Sequence, residues 1–390
     1  MLRSLLDVRY LPELILLITV LLVQAAGAGL LLWSRSAGVS SRMRRVVLLG
    51  LLTSGSILVL GYLLRFVQVS RHFSNWWPTW GSGIALVWGF LSVLLVAALM
   101  ISRWGLRVRP EHSPARRTFL RAAQGALLCA PAVVTGYGVF IQRFDLSLRE
   151  QDLEFPGLPK DLDGLRLVQL TDIHLSPFLS ERELARAVDM ANETRAHVAL
   201  VTGDLITTAR DPLDTCLGQL SRLRADAGVF GCLGNHEVYA NAEDYVEKEG
   251  ARVGHHYLRR RAESLKFGQA TLNLAGVDYQ RTTRRYLAGA EKMVAPQAFN
   301  VLLSHNPDVF PVAARKGYQL TIAGHTHGGQ VRVEILRQDL NIARFFTPYF
   351  DGLYRREGAA VFVSRGIGTI GLPARLGAPP EVNLLRLCRT

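Results

Sequence analysis

Long apolar runs separated by short arginine-bearing stretches fill the first third of the chain, and from residue 165 short hydrophobic runs alternate with amphipathic ones. Four of the long runs, at about 11–33, 46–67, 81–102 and 118–141, approach or exceed the roughly 20 residues a helix needs to cross a bilayer. The fourth is interrupted by Arg121, Gln124 and Pro131. One cleaved leader does not account for four such runs. The pattern predicts transmembrane helices over residues 1–141, a polar linker at 142–164 and a globular domain at 165–390.

Within the globular part, β-rich runs at 165–170, 198–202, 229–233, 271–275, 301–303, 320–323 and 360–363 read as strands. Ser180 followed by Glu183 is a capping box for a helix to about residue 191. Helical spacing also covers 212–224, with Pro212 at its start, and about 242–249. Strands alternating with helices predict an α/β domain with both sheet faces covered.

Charge divides where the hydropathy does. Residues 1–150 hold 16 Lys+Arg against 5 Asp+Glu, and residues 151–390 hold 29 against 27. A nucleic-acid binder carries its positive excess on the folded domain; here the excess lies between apolar runs, so no nucleic-acid partner is expected. The first inter-run stretch carries Arg35, Arg42, Arg44 and Arg45, and the third carries Arg103, Arg107, Arg109, Arg116 and Arg117. Placing both in the cytoplasm puts the N-terminus and, after four crossings, the globular domain outside. The second stretch then faces out, and Trp76, Trp77 and Trp80 fit an interfacial aromatic belt. Arg116-Arg117-Thr118-Phe119-Leu120 is similar to a twin-arginine export signal, and ordinary positive-inside arginines give the same topology. The expected location is the cytoplasmic membrane, multi-pass, with the bilayer as a partner.

Cys129, Cys216, Cys232 and Cys388 have no zinc-type spacing and read as small buried hydrophobes; spacing leaves a Cys216–Cys232 disulfide open.

Metal-capable residues follow the strands: Asp172 and His174, Asp204, Asn235 and His236, His305, and His325 and His327. Loops at the carboxyl ends of strands in α/β sheets converge on one crevice. In Asp172-Ile173-His174 alternate residues leaving a strand point the same way, so both can reach one ion; in His325-Thr326-His327 two imidazoles again alternate, so one can serve each ion. Gly203 before Asp204 allows close backbone approach. Mixed oxygen and nitrogen donors suit Mn²⁺, Fe, Zn²⁺ or Ni²⁺ better than Ca²⁺ or Mg²⁺. Two cations roughly 3.5–4 Å apart hold a hydroxide at neutral pH and neutralise phosphoryl oxygens. His236, next to the ligand Asn235, is expected at the rim, where it protonates the leaving oxygen or stabilises charge there. Glu237 reads as a group that orients a histidine.

The order Asp172-x-His174, Gly203-Asp204, Gly234-Asn235-His236-Glu237, His305 and Gly324-His325-x-His327 resembles the calcineurin-like metallophosphoesterase superfamily over roughly residues 160–390. The resemblance implies a β-sandwich flanked by helices. It assigns Asp172, His174, Asp204 and His327 to one metal, Asp204, Asn235, His305 and His325 to the other, and the catalytic role to His236. Thr207 departs from the tyrosine of purple acid phosphatases, and residues 203–209 depart from the arginine-bearing segment of Ser/Thr protein phosphatases. Gly328-Gly329-Gln330-Val331, Ser364-Arg365-Gly366-Ile367-Gly368 and Leu372-Pro373-Ala374-Arg375 are similar to bacterial membrane-bound phosphodiesterases of this superfamily. That likeness implies a phosphodiester or pyrophosphate substrate from the cell envelope, such as a UDP-diacylglucosamine-type lipid. A monoesterase and a dead receptor scaffold are the other readings. Arg365, in a Gly-rich turn, either reaches a phosphate or braces its loop. Arg259-Arg260-Arg261, Arg281, Arg284 and Arg285 either meet anionic groups or are solvated surface.

Overall fold

The computed structural model describes residues 11–32, 41–64, 76–105, 113–281, 286–335 and 338–390. Arg35, Arg107, Arg109, Arg284 and Arg285 of the sequence reading lie outside them. The chain divides into two compact units, residues 1–141 with 371–374 and residues 142–370 with 375–390.

The first unit holds four helices, α1 (Leu11–Leu32), α2 (Ser41–Leu64), α3 (Trp76–Gly105) and α4 (Pro114–Phe140). Among the described residues three stretches are long and apolar enough to cross a membrane: Arg45–Leu63, Trp76–Ser102 and Pro114–Phe144. Leu14–Gly29 of α1 is a shorter apolar stretch. Trp76, Trp77 and Trp80 belong to the first turns of α3 and not to a preceding loop, because Pro78 is compatible with a helix's first turn. Inside the unit, polar side chains pair across helices. Gln24 donates to Ser92 and accepts from Ser54, and the Trp88 indole donates to Ser54. Such pairing satisfies groups that hydrocarbon cannot.

The second unit is a sandwich of two six-stranded sheets. One runs in the order β1 (Ser147–Phe155), β14 (Glu381–Arg389), β2 (Arg166–Leu170), β3 (Val198–Thr202), β4 (Val229–Cys232), β5 (His255–Tyr257). The other runs β12 (Gly352–Arg356), β13 (Ala359–Val363), β9 (Leu320–Ala323), β8 (Phe299–Leu303), β7 (Ala270–Gly276), β6 (Arg261–Phe267). A separate hairpin pairs β10 (Arg332–Ile335) with β11 (Gln338–Asn341). Strands β2, β3, β4 and β5 are mutually parallel, as are β7, β8, β9 and β13. The central strands are buried throughout, which is why they read as continuous apolar runs and not as alternation.

Leu167, Leu200 and Phe230 of the first sheet pack on Leu274, Val301 and Ile322 of the second. The outer face of the first sheet is covered by α5 (Glu181–Glu193), α6 (Leu213–Leu220) and α8 (Glu243–Arg252), through Leu184, Val188, Leu217 and Val246. The capping box expected for α5 is formed, with Ser180 and Glu183 exchanging side-chain and backbone bonds. The short α9 (Phe310–Arg315) lies with Val363 and Ala323 on the second sheet.

Residues 142–164 are not a linker. They contain β1, which pairs in parallel with β14 over nine residues, and Leu153, Phe155, Leu158 and Leu162 join the core between the sheets. Polar residues alternate with these apolar ones on an edge strand, so the segment averages polar while one face is buried. All four cysteines are free, Cys216 and Cys232 among them and buried.

Candidate metal centre

Five parallel strands deliver the chemistry. Asp172 and His174 follow β2, and Asp204 follows β3. Asn235 and His236 open α7 (Asn235–Ala240) after β4, while His305 follows β8, and His325 and His327 follow β9. Three strands come from one sheet and two from the other, so the residues meet where the carboxyl ends of both sheets face each other. Potential ligand atoms of Asp172, His174 and His327 lie within 4.8 Å of one another, as do those of Asp204, His305 and His325, and of His174, Asp204 and His236. Asp204 belongs to two of these groups and joins them.

The contacts are close. His327 Nε2 is 3.3 Å from Asp172 Oδ1, His305 Nε2 is 2.9 Å from Asp204 Oδ2, and His174 Nε2 is 3.6 Å from Asp204 Oδ2. His174 Nε2 and His327 Nε2 face each other at 3.1 Å. Outer atoms are tied to acceptors that fix the tautomers. His305 Nδ1–H donates to the Thr202 carbonyl at 2.7 Å, and His236 Nδ1–H donates to the Thr207 carbonyl at 2.6 Å. In each ring the other nitrogen, Nε2, is left for chemistry. Asn235 Oδ1 and His325 Nδ1 are buried and make no hydrogen bond. A cation is the partner such acceptors suit.

The backbone supports the same assignment. Asp172, His174, Asp204, His325 and His327 have φ of 49°, 48°, 55°, 76° and 52°, in the left-handed region that side chains other than glycine avoid at roughly 1–2 kcal/mol each. The expected alternation along an extended strand is therefore not how the pairs converge; tight left-handed turns at the strand ends do it, and Ile173 between them packs in the core. Strain of this kind collects at functional sites, where the surrounding structure over-determines it.

Electrostatics follow burial. Burial holds His174 and His325 down at about 3 and His327 well below the usual range. All three are thus neutral, the form that ligates metals. For His305 burial acts in the same direction, but Asp204 and Asp172 outweigh it and raise the group to about 10. Burial pushes Asp172 up to about 6. Asp204 falls well below the carboxylate range because His305, His236 and His174 overcome its burial. Neutral imidazoles at His174, His325 and His327 beside the carboxylates of Asp172 and Asp204 make the mixed nitrogen and oxygen donor set of divalent cations.

Several supporting residues were not assigned this way from the sequence. Glu237 does not orient a histidine. Its carboxylate accepts from the backbone N–H groups of Asp204, Leu205 and Gly234 at 2.8–2.9 Å, and so clamps the Asp204 loop to the Asn235 turn. Thr207 was read only as a departure from another subfamily, yet its hydroxyl lies 3.1 Å from His174 Nδ1. Asp211 caps the same loop by accepting from Thr207 and Thr208 N–H; the Asp-Pro pair at 211–212 was the available turn signal. Arg375 is fully buried. It donates to the carbonyls of Arg365, Gly366, Gly368 and Ala378, with Nη2 3.5 Å from His327 Nδ1. No sequence signal separates such an arginine from a surface one.

His236 is buried at 8 % exposure, deeper than a rim position, because Thr207 and Asp204 hold it from both sides. Arg365 braces its loop: the guanidinium is engaged by the buried Glu381. Arg259 is spent on Asp278, Asp244 and Glu247, Arg260 on Asp278 and Arg261 on Glu247. His197 accepts from the Arg166 N–H and is structural.

Comparison with known proteins finds similarity over the same residues. Residues 165–329 match the calcineurin-like phosphoesterase family. The uncharacterized metallophosphoesterase YkuE of Bacillus subtilis is 25% identical over 285 residues, which cover 70% of this chain and 98% of that protein. A transmembrane protein with metallophosphoesterase domain from Danio rerio is 29% identical over 274 residues, covering 66% of this chain and 60% of that protein. Among solved structures, phosphopantetheinyl hydrolase from Mycobacterium tuberculosis aligns with a TM-score of 0.34 at 12% identity, over 51% of this chain and 88% of that one. The chain carries a calcineurin-like metallophosphoesterase domain, the domain of a family that hydrolyses phosphoesters with divalent metals, behind a set of apolar helices.

Proposed function

We propose that this chain is a two-metal phosphodiesterase or pyrophosphatase of the cell membrane. Asp172, His174, Asp204 and His327 would hold one ion, and Asp204, Asn235, His305 and His325 the other. The observation that carries the reading is the meeting of seven residues from five strand ends, five of them in left-handed backbone. Bound there, two divalent cations supply Lewis-acid charge and make water a nucleophile at neutral pH.

The chain's own residues do the rest. Asp204 sits between the two groups and fixes their spacing. His236, held by its Nδ1–H on Thr207, presents Nε2–H to the leaving oxygen, gives up that proton and is left as the Nδ1–H tautomer. Glu237 and Asp211 fasten the loops of Asp204 and Thr207, so that the site is set before substrate arrives. Mn²⁺ fits the mixed donor set best. The arginine pattern of the apolar half supports a domain on the outer side of the cytoplasmic membrane. Together with the apolar helices, that supports an envelope phosphodiester or lipid-linked pyrophosphate, of the UDP-diacylglucosamine type, as substrate.

The test uses the full chain, purified in detergent, with Mn²⁺ and bis-p-nitrophenyl phosphate. Hydrolysis should need the metal and fall at least 100-fold, on the order of a lost acid–base group, in Asp204→Asn and His236→Ala. Metal analysis should return two ions per wild-type chain. Unchanged rates in Asp204→Asn would refute the joining role given to this carboxylate.

A further inference from the structure

Two tyrosines stand on the imidazoles that flank Asp204, and neither takes part in holding the metal-capable cluster. Tyr239, on α7, meets His236 edge-on with ring centroids 5.5 Å apart, and 56% of it is exposed. Tyr279, after β7, lies 5.6 Å from His325 and 6.3 Å from His305. Potential ligand atoms of His236 and of His325 each lie within 4.8 Å of those of Asp204, in two different groups, so one ring belongs to each side of the centre. Tyr279 is half-buried.

Both rings stand on fixed supports. The Tyr279 loop is fastened on either side, with Asp278 paired to Arg259 at 2.8 Å and the Gln280 carbonyl accepting from Asn306 at 2.8 Å. The helix of Tyr239 begins at the Asn235 turn that Glu237 clamps. A large aromatic ring more than half in water, beside a catalytic centre and on a rigid element, loses little freedom when it binds a flat group.

We propose that Tyr239 and Tyr279 form an aromatic subsite that selects phosphodiesters or pyrophosphates carrying a flat ring of the nucleoside kind. The rings take the group beyond the scissile phosphate, and so set specificity without touching the reacting atoms. This rests on the hydrolase reading above and assigns recognition of a base-like substituent to two named rings.

The experiment compares two esters with one leaving group, thymidine 5′-p-nitrophenyl phosphate and methyl p-nitrophenyl phosphate, on the full chain in detergent with Mn²⁺. Wild type should prefer the thymidine ester in kcat/KM. Tyr239→Ala and Tyr279→Ala should each lower that preference about tenfold, on the scale of a lost base-stacking contact, mostly through KM. Tyr239→Phe and Tyr279→Phe should retain it, since the ring and not the hydroxyl is invoked. A preference absent in wild type, or unmoved in the alanine variants because both esters lose rate together or neither does, overturns the subsite. If wild type with Mn²⁺ hydrolyses neither ester, the hydrolase reading fails, and calorimetric binding of thymidine monophosphate decides the subsite separately. Weaker binding in the alanine variants upholds it and equal binding overturns it.

Discussion

Gly234 offers a substitution that tests the joining carboxylate through geometry alone. Its backbone is ordinary, with φ −95° and ψ −173°, so alanine carries no conformational penalty there. The space is the obstacle. A Cβ at this position would run into Asp204 Oδ1, and would stand 2.6 Å from Asp204 N and 2.7 Å from Asp204 Cγ. Asp204 cannot yield easily, because its N–H is held by Glu237 at 2.9 Å and its Oδ1 by the His236 N–H at 2.9 Å. Relief requires the carboxylate or the Asn235 turn to move by about 1 Å. Overpacking of that kind costs about 1–3 kcal/mol of stability, and a 1 Å misplacement in a catalytic site costs about 100-fold in rate. Gly234→Ala should therefore still fold, lose about 100-fold in kcat/KM on bis-p-nitrophenyl phosphate, and bind fewer than two metal ions. Gly218→Ala is the control, since that Cβ meets nothing within 4 Å on α6. It should keep full activity. A Gly234→Ala protein with two ions and activity within threefold of wild type would show that the Asp204 carboxylate is not the group on which the centre depends.

Glu237→Gln should retain the shape but lose a buried carboxylate that accepts three backbone N–H bonds. The expected loss is about 3 kcal/mol, read as a lower urea midpoint with unchanged slope, and a midpoint equal to wild type would dismiss the clamp. His255 is buried, neither ring nitrogen has a hydrogen-bond partner, and burial lowers it to about 4. The folded state resists a proton that the unfolded state takes up near pH 6.5, so stability is complete above about pH 6.5 and falls as pH drops toward 4. The shift corresponds to about 3 kcal/mol. In His255→Phe the denaturation midpoint should change less between pH 7 and pH 4.5 than in wild type, and an equally steep fall in both would show that other groups carry the acid sensitivity.

What the sequence revealed and what it hid follow different physics. Asp172, His174, Asp204, Asn235, His236, His305, His325 and His327 were legible because each follows a buried apolar strand, and strand ends in parallel sheets must converge. That rule needs only the order of residues along the chain. How the pairs converge was not legible. Alternation along a strand predicted the meeting of Asp172 with His174, whereas both sit in left-handed turns that only the packing of neighbouring loops can hold. Gly366, where a Cβ would stand 2.5 Å from that of Asp172, is one such neighbour, and it comes from 194 residues away in sequence. Residues whose work is done through backbone contacts were hidden for the same reason. Arg375 spends its guanidinium on carbonyls of a loop that only the folded chain brings to it, and Arg365, from the same Gly-rich stretch, proved to be a brace because Glu381 on β14 reaches it. Side chains that speak to a ligand announce themselves by type and place, since a cation accepts few donors. Side chains that hold the fold in position can be of any type, because a backbone carbonyl or N–H is offered everywhere. The strain at the centre belongs to the second kind of information, and it is the reason the joining carboxylate should respond to a single methyl group at Gly234.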